Sequence, residues 1–263
     1  MTYCVAISVN DGLVFCSDSR THAGPDMLFA HSKMHVFTPA PDRLFVVLTA
    51  GNLATTQEII SRLESELEDT DKTNLLNCNK MIEVARYVSQ VNREEQQQAQ
   101  ASTASAGIDT SASLILGGQI QGGAPATYMM YSAGNFIADS DETPFLQIGE
   151  SKYGKPILDR IITRETSLED AARCAIVSMD STIKSNATVG APIEVLVYEK
   201  DSFLSQHYIR MEEDDAYLLR IRQEWNEALK HAFSELSRFE WEKRINPGNV
   251  RPFNPDAGQW NPG

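Results

Sequence analysis

The chain is 263 residues long, 42% hydrophobic, and carries a formal net charge of -13. A chain of this length buries a full core as one large domain, or one domain with an appendage, rather than as two equal domains. Its acidity excludes a nucleic-acid partner, because phosphate affinity is built largely from Lys and Arg contacts.

Cys4, Cys16, Cys78 and Cys174 form no CxxC pair and no Cys/His spacing of a metal site. Neither zinc nor a disulfide framework is expected, and the thiols read as reduced. No basic-then-apolar leader opens the chain, and no segment approaches the roughly 18 apolar residues of a membrane span. The expectation is a cytoplasmic protein with no membrane partner, no metal and no cofactor.

In chain order, the first element is a strand over 2–9, in which Tyr3, Val5, Ile7 and Val9 alternate with Cys4, Ala6 and Ser8. Order from the second residue is unusual, since chain ends ordinarily fray. Strands at 13–17, 34–37 and 43–50 follow, the last reading RLFVVLTA. Helices are predicted over 53–68 and 80–98, the second from Met81, Val84, Val88 and Val91 at three- and four-residue spacing. STASAGIDT (102–110) reads as a mobile loop, and strands at 112–116 and 128–132 are joined by the turn GGQIQGGAP. That turn lacks the GxGxxG and Walker spacings, so it reads as a hairpin loop and not a phosphate site.

Helices over 152–163 and 167–185 and strands at 193–198 and 205–210 complete a domain over 1–210. Strands and helices arriving in blocks argue for an antiparallel α+β sandwich flanked by helix pairs, against a doubly wound parallel sheet. The remainder, 211–263, carries a helical stripe over 212–242 (Leu218, Ile221, Trp225, Ala228, Ala232, Leu236, Phe239) and a tail rich in Pro, Asn and Gly. The stripe packs on its own domain or serves as an assembly contact. In the tail, Val250, Phe253 and Trp260 suggest docking, with a disordered segment as the equal alternative.

Asn10-Asp11-Gly12 signals a hairpin turn. A loop of Asp11 and Gly12 alone sets Val9 opposite Val14 and Ile7 opposite Cys16. A three-residue loop sets Val9 opposite Leu13 and Ile7 opposite Phe15, and hydrophobic matching favours it. That register places Thr2 across from Arg20 and Cys4 across from Asp18, with Thr2 and Asp18 as diagonal neighbours.

An ordered strand from residue 2 fixes whatever stands at the terminus, and an initiator methionine is commonly removed before a residue as small as threonine. Thr2 would then carry a hydroxyl nucleophile and a free α-amine with an ordinary pKa of about 7.7–8.0, its own general base. A lysine nearby disfavours protonation of that amine, and a carboxylate fixes the lysine. Lys33 is the only lysine in the first 70 residues. Asp18 is the candidate carboxylate, although alone it reads equally as a surface partner of Arg20. Gly51, after the strand 43–50, is the candidate oxyanion-hole donor.

MTYCVAISVNDGLVFCSDSR, the lysine of SKMHVF, VVLTAGNLATTQ and QIGESKYGKPIL together resemble the proteasome-type N-terminal-nucleophile hydrolases, most closely the bacterial Anbu group, or bacterial proteasome homologues. The resemblance covers roughly residues 2–210. It implies an αββα four-layer sandwich, self-association into a ring or short helical stack, and hydrolysis of a peptide or other amide substrate, with an accessory factor unidentified. It assigns Thr2 as nucleophile, Asp18, Lys33 as the lysine after a one-residue deletion, and Gly51 as the oxyanion-hole glycine.

Three positions depart from the family pattern. Gly149-Glu150-Ser151 stands where Gly-Ser-Gly is usual, so either Glu150 replaces the serine or Ser151 is displaced into its role. Glu150 also reads as an exposed helix-start carboxylate. Asn186-Ala187-Thr188-Val189-Gly190 stands for Asp-x-x-Ser-Gly, and His22 for the substrate-aligning threonine, leaving its backbone to pair with a peptide. Arg20, Glu150, Ser151 and Asn186 are therefore supporting candidates around the core set. These departures keep a second expectation open, a non-catalytic or weakly active peptide-binding scaffold. His22, His31, His35, His207 and His231 show no ligand spacing and read as surface or core.

Overall fold

In the computed structural model, which describes residues 2–22, 28–69, 71–104 and 107–241, every residue of the first strand, β1 (Tyr3–Val9), is buried. So is every residue of its hairpin partner β2 (Gly12–Asp18). A strand buried on both faces sits in the middle of a sheet with layers above and below. The sheet order is β10-β1-β2-β11-β12, with β10 (Phe145–Gly149), β11 (Ile193–Glu199) and β12 (His207–Met211). The N-terminal strand is thus held by hydrogen bonds on both sides, which is why it does not fray.

A second five-stranded antiparallel sheet is ordered β5 (Met34–Ala40), β6 (Arg43–Gly51), β7 (Ala112–Ile120), β8 (Ala126–Met130), β9 (Phe136–Ala138). The strand RLFVVLTA shows how the layers form, because its side chains alternate between two cores. Leu44, Val46 and Leu48 meet Cys4, Ala6, Leu13 and Phe15 between the sheets. Phe45 and Val47 point outward and are covered by Ile59 and Leu63 of α1 (Leu53–Ser65) and Val84 and Val88 of α2 (Met81–Thr103). On the other side, α3 (Lys155–Ile161) packs on α4 (Leu168–Ser185), which lies across β1, β2 and β11. The result is the αββα sandwich. A separate ribbon pairs β3 (Arg20–His22) with β4 (Leu28–Ala30).

The hairpin register differs from both sequence readings. The turn is Asn10–Asp11, with Val9 opposite Gly12, Ile7 opposite Val14 and Cys4 opposite Ser17. Neither the placement of Cys4 across from Asp18 nor that of Thr2 across from Arg20 holds. Hydrophobic matching fails here because both faces of the hairpin are buried, so a one-residue slip exchanges one apolar face for another. Gly12 makes the register possible, since a Cβ there would meet the Tyr198 carbonyl oxygen at 2.0 Å.

The first part of the glycine-rich stretch is likewise strand, and the hairpin turn is confined to 121–125. β7 continues through Gly117 and Gly118 to Ile120, where a Cβ on Gly117 would strike the Phe15 ring and one on Gly118 the Leu44 carbonyl. Glycines in a strand here mark close approach of neighbouring layers rather than a turn. The 53–68 helix ends at Ser65 in a 3-10 turn, and the 80–98 helix continues to Thr103. The 152–163 helix is reduced to Lys155–Ile161. The strands β3, β4, β9 and β10 are additions, short segments of which β10 alone pairs with a strand distant in sequence, β1.

The chain divides into two compact units, Met1–Asp214 and Asp215–Gly263. In the second, α5 (Ala216–Ser234) is capped by Asp215, which accepts from the Tyr217 and Leu218 N–H groups, and leaves Leu219, Leu229 and Phe233 exposed. It is shorter than the 212–242 stripe. Val250, Phe253 and Trp260 lie outside the described residues. Among the described residues no helix is long and apolar enough to cross a membrane.

Candidate active site

Tyr3 anchors the start of β1. Its buried hydroxyl pairs with Ser178 Oγ of α4 at 2.6 Å and accepts from Gln147 Nε2 of β10 at 2.6 Å. Its backbone N–H donates to Asp18 Oδ1 at 3.0 Å. The neighbour Thr2 is therefore fixed from both sheet and helix.

Asp18, at the end of β2, is fully buried and meets Lys33 Nζ at 2.7 Å. It is not a surface partner of Arg20. Its second oxygen accepts from the Gly190 N–H at 3.2 Å. Burial pushes the Asp18 carboxyl above the ordinary carboxylate value, and Lys33, Tyr3 N–H and Gly190 N–H pull it back. Lys33 also donates to the Arg20 carbonyl at 2.8 Å, and its own carbonyl accepts from Thr49 N–H of β6 at 2.9 Å. The ammonium is thus held from the stretch 18–20, and the Lys33 backbone from β6.

The opposite flank of Thr2 is made of backbone. The Glu150 N–H donates to the Thr2 carbonyl at 2.7 Å. Gly149 adopts a φ of 81°, and a Cβ there would lie 1.9 Å from the Thr2 carbonyl oxygen. The Glu150 side chain is only 6% exposed and precedes no helix start, so the exposed helix-start reading fails. Its carboxylate instead accepts from Asn186 Nδ2 at 3.1 Å and lies 3.6 Å from Lys152 Nζ. Asn186 Oδ1 takes the Thr188 N–H and hydroxyl, shaping the turn that delivers Gly190 to Asp18. Ser151 is half-buried, and its carbonyl accepts from Lys155 at the start of α3. The backbone of His22 pairs with Leu28 across the β3–β4 ribbon.

Thr2, Lys33, Arg20 and Gly51 line one cavity of about 540 Å³; Asp18 stands behind Lys33, and Glu150 and Asn186 contribute no wall. Gly51 ends β6 with a φ of 116°, against the Ser111 carbonyl that a Cβ would overlap. The first turn of α1, capped by the Asn52 side chain, forms a further part of the wall. So do His31 and His35, which show no ligand spacing in the sequence; Gln57 of α1 meets His31 Nε2 at 3.2 Å. Burial, then the neighbouring His31, lowers the His35 pKa to about 4.

A further buried carboxylate escaped sequence reading. Glu194 of β11 accepts from Ser19 at 3.0 Å, Ser32 at 2.8 Å and the Tyr208 hydroxyl. Ser19 follows Asp18 and Ser32 precedes Lys33, so Glu194 clasps both halves of the ion pair through their neighbours. A Glu flanked by apolar residues near the start of the strand IEVLVYE was its only signal. Cys4 and Cys16 lie close by, and burial pushes both thiols up, keeping them protonated and poor nucleophiles. Among the described residues no group of three His, Cys, Asp or Glu side chains is placed to hold a metal.

Residues 2–198 match the family described as proteasome subunit. Among solved structures, "Anbu (ancestral beta-subunit)" from Yersinia bercovieri is 43% identical, with a TM-score of 0.84 over 90% of this chain and 99% of that one. "Helical Assembly of the Anbu Complex" from Pseudomonas aeruginosa is 46% identical, with a TM-score of 0.85 over 90% and 98%. Anbu from Hyphomicrobium sp. strain MC1 is 39% identical, with a TM-score of 0.81 over 90% and 99%. No curated protein matches the chain.

Proposed function

We propose that this chain, which belongs to the proteasome subunit family, is an N-terminal-threonine hydrolase of peptide or other amide bonds working in a self-assembled complex. Removal of Met1 frees the Thr2 α-amine, which at an ordinary pKa of about 7.7–8.0 is partly neutral near physiological pH. The amine takes the hydroxyl proton as Thr2 Oγ1 attacks the substrate carbonyl, then gives it to the departing amine. Water, activated by the same amine, hydrolyses the resulting ester and restores Thr2. Lys33 keeps the amine neutral by like charge, and the Gly51 N–H receives the oxyanion.

The observation that carries this reading is the Lys33–Asp18 pair, 2.7 Å long, with Lys33 in the wall of the cavity that Thr2 shares. A buried ion pair is weak as a stability device, and one at a cavity wall beside a candidate nucleophile points to chemistry. Self-association into a ring or short helical stack extends to this chain what is described of the Pseudomonas aeruginosa relative. The cytoplasm is the proposed setting.

The test is the mass of the N-terminal peptide, from protein isolated from its native cell, before and after a threonine-directed electrophile. Loss of Met1 with an adduct on Thr2, absent from a Thr2→Ala variant, is the expected result. A peptide retaining Met1 and carrying no adduct refutes the hydrolase. One observation favours a second reading, a peptide-binding scaffold: Glu150 and Asn186 bond each other where the family pattern has Ser and Asp. That reading requires full biological activity in Thr2→Ala.

A further inference from the structure

Asp18 and Lys33 come from two stretches, 18–20 and 31–33, that residues 21–30 separate in sequence, and a third stretch fastens them to each other. Glu194 stands in β11, which pairs with β2 on one side and β12 on the other, Glu194 itself lying opposite Ser17 and Arg210. Its side chain is 2% exposed. One carboxylate oxygen, Oε2, accepts from the Ser19 hydroxyl at 3.0 Å and the Ser32 hydroxyl at 2.8 Å, and the other, Oε1, accepts from the Tyr208 hydroxyl. The backbone repeats the connection: the His31 N–H donates to the Ser19 carbonyl at 2.8 Å, and the Ser19 N–H to the Pro192 carbonyl, also at 2.8 Å. Each serine is the immediate neighbour of one member of the ion pair.

The chemistry of this clasp decides where the hydroxyl protons go. A carboxylate only accepts, so both serines donate to it, and Ser32 Oγ in turn accepts from the Met34 N–H at 3.2 Å. Without an acceptor at position 194 the Ser32 proton has the Met34 carbonyl as its alternative, 3.0 Å away, and the tie to Ser19 is lost. An interior strand position ordinarily holds an apolar residue, because a buried carboxylate carries a desolvation cost. Here three hydroxyl donors offset that cost, and the strand gives rigid support to the residues beside Asp18 and Lys33. The ionisable groups that face Lys33 and Glu194 are Cys4, Cys16 and Asp18 on the hairpin, Arg20 and the two histidines at the cavity wall, and Tyr208 and Arg210 on β12. They are common to the variants compared below, so a difference between those variants does not come from them.

We propose that Glu194 is a positioning residue of the site: through Ser19 and Ser32 it holds the Lys33 ammonium against Asp18 at the cavity wall, where that ammonium keeps the Thr2 amine neutral. The part played by the amine rests on the hydrolase reading; the hold on Lys33 does not. The test compares Glu194→Gln with Glu194→Leu in the full chain. Both remove the charge and both fill the space, but glutamine presents its carbonyl oxygen to the two serines and an amide N–H to the Tyr208 oxygen, whereas leucine offers no acceptor. Two readouts are followed: adduct formation at Thr2 with a threonine-directed electrophile across pH, in protein freed of Met1, and acylation of Lys33 by an amine-directed reagent, read by peptide mass. Glu194→Gln should stay within about threefold of the unsubstituted protein in both. In Glu194→Leu, Lys33 should acylate about tenfold faster than in Glu194→Gln, because a loosened segment opens more often. The midpoint of its Thr2 profile should lie about half a pH unit above that of Glu194→Gln, since a withdrawn ammonium no longer disfavours protonation of the amine. Ser32→Ala keeps the buried charge and removes one tie; it should move both readouts in the same direction, and it decides the matter if Glu194→Leu does not fold. Matching profiles and matching Lys33 acylation in the Gln and Leu variants, or in Ser32→Ala and the unsubstituted protein, overturn the proposal. Faster Lys33 acylation with no Thr2 adduct in any of these proteins keeps the clasp and removes the hydrolase; a Thr2 adduct with Lys33 acylation unchanged does the reverse.

Discussion

Thr2 stands between two flanks of different construction. On the hairpin side a side-chain ion pair, Asp18 with Lys33, is buried and braced by the Tyr3, Thr49 and Gly190 backbone. On the return side the contacts to Thr2 come from the Gly149–Glu150 backbone, and the side chains there bond one another. The departures that the resemblance marks at Glu150 and Asn186 fall on the second flank. A hydrogen bond given by backbone survives a change of side chain, whereas an ion pair does not, so the flank made of backbone is the one free to vary. Gly190 illustrates the point: Asn186 and Val189 stand where the pattern has Asp and Ser, yet the Gly190 N–H still reaches Asp18.

The largest effect expected from breaking this comparison is Lys33→Met. It leaves the Asp18 carboxylate buried without its cation and should lower unfolding free energy by about 3–5 kcal/mol at neutral pH, measured by denaturant titration. The pH dependence has a definite sign. Asp18 already has a pKa raised above its unfolded value, so its contribution is most favourable below the unfolded pKa and declines as pH rises through the folded one. Removing Lys33 raises the folded pKa further, so the variant should recover stability on acidification more than the unsubstituted protein does. Equal losses at acid and neutral pH would mean that Asp18 is not the group left unpaired.

Gly149→Ala should be next. The left-handed backbone costs about 1–2 kcal/mol for alanine, and the added Cβ overlaps the Thr2 carbonyl. Stability should fall by at least that amount and the reactivity of Thr2 toward electrophiles should drop with it, since the strand end must move. Asn186→Ala should cost about 1–2 kcal/mol, by leaving the buried Glu150 carboxylate short of a donor. It should also depress Thr2 reactivity less than Gly149→Ala does; the reverse order would show that the return flank acts through side chains after all.

The smallest effect concerns the cavity wall. His35 has a folded pKa of about 4, below the usual histidine value. Its contribution is complete above about pH 6.5 and is lost as pH falls toward the folded pKa, because only the unfolded state takes up the proton in that window. His35→Gln should flatten the stability profile between those limits, as followed by thermal unfolding at stepped pH.

Much of the fold was legible in the residues. Blocks of alternating strands and amphipathic helices identified the sandwich, and the helix starts at Asn52 and Ser167 carry side-chain caps to Thr55 and Asp170. The register of the first hairpin was not legible, since matching apolar faces decides only when one face is wet. The glycines of β7 were misread for a related reason: a glycine that admits Phe15 and one that starts a turn are written with the same letter. For the site, Thr2, Lys33, Arg20 and Gly51 lie on one cavity and Asp18 is joined to Lys33. The parts that Tyr3, Gly149, Glu194, His31 and His35 take around the site came into view only with the structure.

What the sequence determined by itself was local: which stretches form strand or helix, that a lone lysine and a carboxylate flank the first hairpin, and which glycines and polar residues break a family pattern. The tertiary structure alone decided the hairpin register, the burial of Asp18, and the assembly of the cavity wall in which two histidines stand. The division has one physical cause. Periodicity and capping are written within a few neighbouring residues, whereas burial, ion pairing and close backbone approach depend on segments that meet only after the sheets and helices have packed.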